Sequence, residues 1–241
     1  MKCIRLFLVA AFALSSAGCI KFSKTLTLND DGSGVIDITY TLPEETVTQI
    51  SGMMKLADEL ADAAGEPPPG DSHGYLELLL NPSENRIKRK VDSYKIDGLV
   101  LKKVKVESRD GSRQVELQLT FKRITDLAQT DFFTDQGFTL SRVQGGNYRL
   151  ERKGTPVSSS PPVDMEDPQI ARLLTPVLGG FDATIGVKTP GRILQANTTR
   201  RSLRQAVWNF EFNRDAEDFR AFYTKDLIVI FEGAGLSLPA E

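Results

Sequence analysis

Two cysteines and one histidine among 241 residues leave little for thiol, imidazole or metal chemistry. Zinc sites draw mostly on Cys and His, and neither forms a cluster here. A Ser-His-Asp arrangement needs a positioned imidazole. The sole candidate, His73, falls in the Pro/Gly stretch from Glu66 to Gly74 and is expected to face solvent. No apolar run reaches the roughly 20 residues that span a bilayer. Charge of one sign is lacking too: the formal net charge is −2, so nothing asks for nucleic acid, which goes with a basic domain.

What is present begins at the N-terminus. Lys2 and Arg5 precede an apolar run from Leu6 to Leu14, and small residues follow, as in an export signal. Ser16-Ala17-Gly18-Cys19 resembles a bacterial lipobox, with Ser16 where Leu is commonest. That resemblance implies cleavage between Gly18 and Cys19 and a diacylglyceryl group on Cys19. Ser15-Ser16-Ala17 also fits an ordinary small-x-small site, which would release a protein starting at Gly18. Each buried methylene contributes about 0.8 kcal/mol, so one acyl chain holds marginally and two hold durably. Cys3 leaves with the signal and Cys19 becomes a thioether, so no disulfide, reactive thiol or Cys-metal site remains. Losing Lys2 and Arg5 takes the formal charge from −2 to −4.

Residues 19–241 read as one α+β domain, with Pro-rich loops near 66–74 and 155–167. Ile20, Phe22, Leu26 and Leu28 alternate with polar residues, and Lys24 interrupts them, which suggests an edge strand. Asp30-Asp31-Gly32-Ser33-Gly34 turns the chain into a partner strand with Ile36, Ile38, Tyr40 and Leu42. An EF-hand frame on Gly32 puts Thr27 and Ile38 at its first and twelfth places, which excludes a calcium loop. Pro43-Glu44-Glu45 opens a helix with Val47, Ile50, Met54, Ala57, Leu60, Ala61 and Ala64 on one face, ending at Gly65. Met53 and Met54 belong with this core stripe. Asn81-Pro82 is expected to cap a short basic helix.

A second hairpin turns at Asp110-Gly111, with Val100, Val104 and Val106 facing Val115, Leu117, Leu119 and Phe121. Lys103, Lys105, Glu116 and Gln118 lie on its wet side. A short helical piece near Ile124 precedes a weaker hairpin over Gly145-Gly146. Residues 167–178 read as a capped apolar helix, followed by a strand through Phe181, Ala183, Ile185 and Val187 that Pro190-Gly191 breaks. Ala206, Trp208, Phe210 and Phe212 give the clearest aromatic alternation. A short helix at 215–223 and an all-apolar strand from Leu227 to Phe231 complete the chain. The expected architecture is an antiparallel sheet of hairpins with helices mainly on one face.

The chemistry-bearing clusters are few. Arg86, Lys88, Arg89 and Lys90 on one helix, and Arg200, Arg201 and Arg204 near the Pro190-Gly191 break, are candidates for anionic headgroups. Such contacts are worth about 1 kcal/mol per residue at a membrane surface. Solvated faces are the plainer account of both. Gly145-Gly146 and Gly179-Gly180 lack the lysine and spacing of a phosphate loop. The 32 acidic residues offer many carboxylate pairs but none at a known separation, so no catalytic residue is assigned. Asn197-Thr198-Thr199 matches a glycosylation sequon, a short match that arises by chance.

The segment Thr25-Leu26-Thr27-Leu28-Asn29-Asp30-Asp31-Gly32-Ser33-Gly34, close behind Cys19, resembles the opening of LppM-like bacterial lipoproteins. Pro190-Gly191-Arg192-Ile193-Leu194-Gln195-Ala196-Asn197, then Val207-Trp208, is similar to that family's later pattern. The resemblance implies a membrane-anchored α+β domain with a lipid- or glycolipid-binding role and supplies no catalytic residue. Two features depart from the pattern: no C-terminal span follows, and Thr198 to Arg204 replaces a small neutral turn.

The expected function is therefore a non-catalytic envelope lipoprotein without cofactor or metal, binding a lipid, an amphiphile or an envelope partner. An assembly protein acting through protein contacts is the alternative. A carboxylate-dependent hydrolase of envelope sugars is the third reading. Ile20 after the lipidated cysteine, rather than an acidic residue, points by analogy to the periplasmic face of an outer membrane. In a cell without one, the outer face of the plasma membrane is implied.

Overall fold

A computed structural model describes residues 20–64, 78–130, 137–154, 180–212, 221–222, 224–234 and 236–237. Cys19, Gly18, His73, the two Pro-rich loops, the 167–178 helix and most of the 215–223 helix lie outside them.

The chain opens with β1 (Lys21–Leu28) and β2 (Gly34–Pro43), joined by the expected Asp-rich turn. Helix α1 (Glu44–Ala64) follows directly, then α2 (Glu84–Ser93). Strands β3 (Val100–Arg109) and β4 (Ser112–Phe121) form the second hairpin, and α3 (Ile124–Ala128) leads on. Next come β5 (Thr139–Arg142) and β6 (Tyr148–Arg152), paired across a turn at Gln144–Gly146. The later strands are β7 (Phe181–Lys188), β8 (Ile193–Ala196), β9 (Arg200–Arg201), β10 (Gln205–Phe212) and β11 (Leu227–Phe231).

Seven strands make one sheet in the order β3-β4-β2-β1-β7-β10-β9, and four make another in the order β5-β6-β11-β8. The alternating residues behave as their periodicity requires. Leu26, Leu28, Ile36, Ile38, Tyr40, Leu42, Val115, Leu117, Leu119 and Phe121 are buried, as are Ala206, Trp208, Phe210 and Phe212. Burying each large apolar side chain contributes about 1.5–3 kcal/mol. Buried residues of both sheets belong to one contiguous apolar cluster.

Several expectations are corrected. The larger sheet is mixed, because β1 runs parallel to β7, with Lys24 opposite Ile185. Parallel neighbours need a long crossover rather than a hairpin, and most of the chain lies between these two strands. β1 is therefore the central strand, not an edge. Lys24 is 5% exposed, its stem set between Ile38 and Ile185 in the register. Long aliphatic stems can fill apolar space in this way.

Among the described residues, the helices are not clearly gathered on one face. α1 touches β2, α2 lies against β3, and α3 touches β4 and β5. In α1, Val47 is buried, Ile50 and Met54 are half-buried, and Leu56 is exposed. Leu56 lies off the expected apolar stripe, and the side chains of Ala57, Leu60, Ala61 and Ala64 lie outside the described residues. The cap of α2 is Ser83, whose hydroxyl accepts from the Arg86 N–H, and not Asn81.

Val100 is 44% exposed rather than on the core face. A bulge between Leu101 and Lys103 shifts the register, so Leu101 stands opposite Leu119 and Val100 opposite Thr120. One extra residue in a strand reverses the faces beyond it. In β11, Leu227, Val229 and Phe231 are fully buried, while Ile228 and Ile230 are only half-covered.

Candidate functional site

The register of the large sheet gives it two distinct ends. At one, Lys21 of β1 stands beside Thr41 of β2 and Asp182 of β7, and the Arg109–Ser112 turn and the start of α1 lie at the same end. At the other, the Asn29–Ser33 turn meets Thr189, Pro190 and Arg204 around a depression of about 540 Å³. Leu28, Thr189 and Pro190 are buried in it, whereas Asn29, Asp30, Asp31 and Arg204 are exposed at its rim. Segments far apart in sequence converge here through the parallel pairing of β1 with β7.

Local chemistry fixes each part of this rim. The Asp31 carboxylate accepts from the Ser33 hydroxyl at 2.6 Å and the Ser33 N–H at 3.0 Å. These bonds, the hydroxyl first, hold the Asp31 carboxyl below its usual range. Both bonds fall on Oδ1. Asn29 donates to the Ser33 hydroxyl at 2.9 Å, and Gly32 has φ 85°, which suits glycine. The Thr189 hydroxyl donates to the Gly191 carbonyl at 2.9 Å, and the Thr189 N–H donates to the Arg204 carbonyl at 3.0 Å. Gly191 is required by close approach: a Cβ there would collide with the Glu232 carbonyl of the chain beyond β11.

Arg192 then clasps Glu232, donating to one carboxylate oxygen through Nε at 2.9 Å and Nη2 at 2.6 Å. The pair pushes the Arg192 guanidinium above its ordinary value, with the hydrogen bond leading and the charge of Glu232 adding. Ser237 N–H donates to the Asp30 carbonyl at 3.3 Å, so the segment after β11 also joins the rim. The arrangement offers exposed carboxylates beside a guanidinium in an open bowl. It suits a polar or charged contact rather than an acyl chain.

The structure separates the two basic clusters. In α2, Lys88 and Arg89 are exposed, while Arg86 donates to the Asn81 carbonyl at 3.2 Å and Lys90 lies 5.2 Å from the Tyr94 ring centre. Arg200, Arg201 and Arg204 are all exposed on the β9–β10 hairpin, where Arg201 donates to the Leu194 carbonyl at 3.3 Å. Leu203 between them is 64% exposed and nearby Leu194 is 40% exposed. This apolar tip among arginines was not legible in the sequence, since nothing in the pattern marks Leu203 as uncovered.

Two residues prove structural in ways that spacing did not reveal. Asn197 lies at the junction of the sheets rather than in a free sequon. Its Oδ1 accepts from Trp208 Nε1 at 3.1 Å and Ile228 N–H at 2.9 Å, and its Nδ2 donates to the Asp226 carbonyl at 2.7 Å. Arg113 of β4 donates to both Glu44 oxygens, to Asn81 Oδ1 at 3.0 Å and to the Leu80 carbonyl. It ties the start of α1 to the approach to α2. Among the described residues, no group of three or more His, Cys, Asp or Glu could hold a metal ion, and no helix is long and apolar enough to cross a membrane.

No family model matches the chain, and no curated protein matches it. Among solved structures, it is similar to the NMR structure of the folded domain of the Mycobacterium tuberculosis LppM protein. The two share 12% identity over 89% of this chain and 90% of that one, with a TM-score of 0.40.

Proposed function

We propose that this chain is a non-catalytic lipoprotein of the bacterial envelope, tethered through diacylated Cys19 and acting by surface contact with an envelope partner. The observation that carries the reading is Ser16-Ala17-Gly18-Cys19 behind a charged and then apolar leader. Two acyl chains suffice for durable anchoring without help from the folded body. Four of the described arginine–carboxylate pairs are internal clamps of the fold. Arg113 holds Glu44, Arg123 holds Asp126, Arg149 holds Glu151, and Arg192 holds Glu232.

The exposed Leu203 and Leu194 among Arg200, Arg201 and Arg204 favour a protein partner with apolar and acidic surface. Binding of a lipid or glycolipid is the second reading, favoured by the cationic hairpin alone. The test of the anchor is Cys19→Ser. The variant is expected in the soluble fraction, and intact mass of the wild-type N-terminal peptide is expected to show a diacylglyceryl thioether. Continued membrane association of the variant, or an unmodified thiol in the wild type, overturns the assignment. Native mass spectrometry of the lipid-free body separates the two ligand readings: a co-purified lipid favours the second.

A further inference from the structure

Cys19 is joined directly to Ile20, and no linker stands between the anchor and the fold. Ile20 is 6% exposed, and its carbonyl accepts from the Asp182 N–H at 2.9 Å. β1 begins at the next residue. Consecutive Cα atoms lie about 3.8 Å apart, so the lipidated residue cannot stray from the end of the central strand. From this we propose that the protein stands on its own bilayer by the Lys21–Thr41–Arg109 end of the large sheet. The contacting partner is the lipid surface that holds the anchor. This orientation rests on the lipidation of Cys19 proposed above.

The sheet order makes that footing mechanically stable. β1 has β2, β4 and β3 on one side; on the other, β7 and β10 reach the anchored end, while the two-residue β9 pairs with β10 at the far end. With strands about 4.8 Å apart, the anchored end of the sheet extends roughly 14 Å to one side of the anchor and roughly 10 Å to the other. When the body tilts, the near ends of the flanking strands meet the headgroups first. On one side these are the β2–α1 junction, where Glu44 N–H donates to the Gly111 carbonyl at 2.9 Å, and the Arg109–Ser112 turn. On the other side this end is formed by the start of β7 and the end of β10, where half-buried Phe181 stands opposite buried Phe212 in the register.

The far end then looks away from the membrane. β1 has eight residues, and at about 3.3 Å each the strand lifts the depression and the Arg200–Arg204 hairpin roughly 25 Å above the anchor. The Debye length in physiological salt is about 8 Å, so arginines at that height gain almost nothing from anionic headgroups below. Arg200, Arg201 and Arg204 therefore serve the aqueous side, and the bilayer touches the opposite end.

The chain makes the experiment simple, because Cys3 is removed and Cys19 is blocked, so one engineered thiol carries the label. Full-length lipidated Arg109→Cys and Ser202→Cys proteins are labelled with a fluorophore. Each is reconstituted in phosphatidylethanolamine–phosphatidylglycerol vesicles containing a nitroxide-headgroup lipid. Loss of most emission at position 109 and none at position 202 is expected. Equal quenching at both positions, or stronger quenching at 202, overturns the orientation while leaving the anchor intact. Failure of the wild-type protein to float with vesicles, together with an unmodified N-terminal mass, overturns the anchor itself. Glu45→Cys and Arg201→Cys form a second near and far pair, and circular dichroism of each confirms that it is folded.

Discussion

The Trp208 indole N–H donates to Asn197 Oδ1 at 3.1 Å, and this bond joins the two sheets. Trp208 belongs to β10 of the seven-stranded sheet and is 2% exposed. Asn197 follows β8 of the other sheet and is bonded to Asp226, just before β11, and to Ile228 within it. One amide thus fills three roles, and the neighbouring Thr198 hydroxyl donates to the Val207 carbonyl at 2.7 Å.

Asn197→Ala leaves the buried indole N–H and the Ile228 N–H without this acceptor. An unsatisfied buried donor costs about 1–3 kcal/mol, so urea unfolding is expected to show a loss near 2–3 kcal/mol. Trp208→Phe removes the donor and some packing. In the double variant, the losses are expected to fall short of additivity by about 1 kcal/mol. Full additivity would show that the bond does not couple the sheets.

Two glycine replacements are expected to act in opposite directions. Gly191→Ala drives a Cβ into the Glu232 backbone, which cannot swing aside as a side chain does. Overpacking of this kind costs about 1–3 kcal/mol. Gly52→Ala lies within α1, where a Cβ meets nothing within 4 Å. Helix propensity there favours alanine by about 0.5–1 kcal/mol. Thermal melts of the two variants, shifted down and up respectively, check the contrast.

Arg113→Ala removes the fork that joins Glu44, Asn81 and Leu80. The Arg113 side chain is 19% exposed and that of Glu44 is 43% exposed, so solvent screens part of the attraction. The buried carbonyl dominates, and the loss is expected near 2 kcal/mol. Arg113→Lys is expected to recover less than half, because an ammonium lacks the planar fork. Hydrogen exchange should quicken first at the start of α1.

Acid weakens the rim through Asp31. Its folded pKa lies below the unfolded value, so its contribution is present above the unfolded carboxylate range, near pH 4, and is lost as pH falls through the folded pKa. Glu116 follows the same sign, held down by the hydrogen bond and charge of Lys103 at 2.5 Å. Ser33→Ala is expected to return Asp31 toward the ordinary carboxylate range in a carbon-13 carboxyl titration while Glu116 stays depressed. An unchanged Asp31 would show that Ser33 does not set it.

Local periodicity determined much of this protein. The hairpins at Asp31-Gly32, Asp110-Gly111 and Gly145-Gly146, and the core faces of β1, β2, β4, β7 and β10, follow from alternation and turn chemistry, which depend on near neighbours. Tertiary structure alone decided that β1 is central and parallel to β7, that Lys24 is covered, and that Val100 turns outward past a bulge. Pairing between distant strands leaves no periodic trace in either one. For the same reason, the meeting of Asp30, Pro190 and Arg204 at one end of the sheet was invisible in the chain. The Cys19-Ile20 junction draws on both sources, since the sequence supplies the lipobox resemblance on which the proposed anchor rests and only the burial of Ile20 shows how soon the fold begins after it.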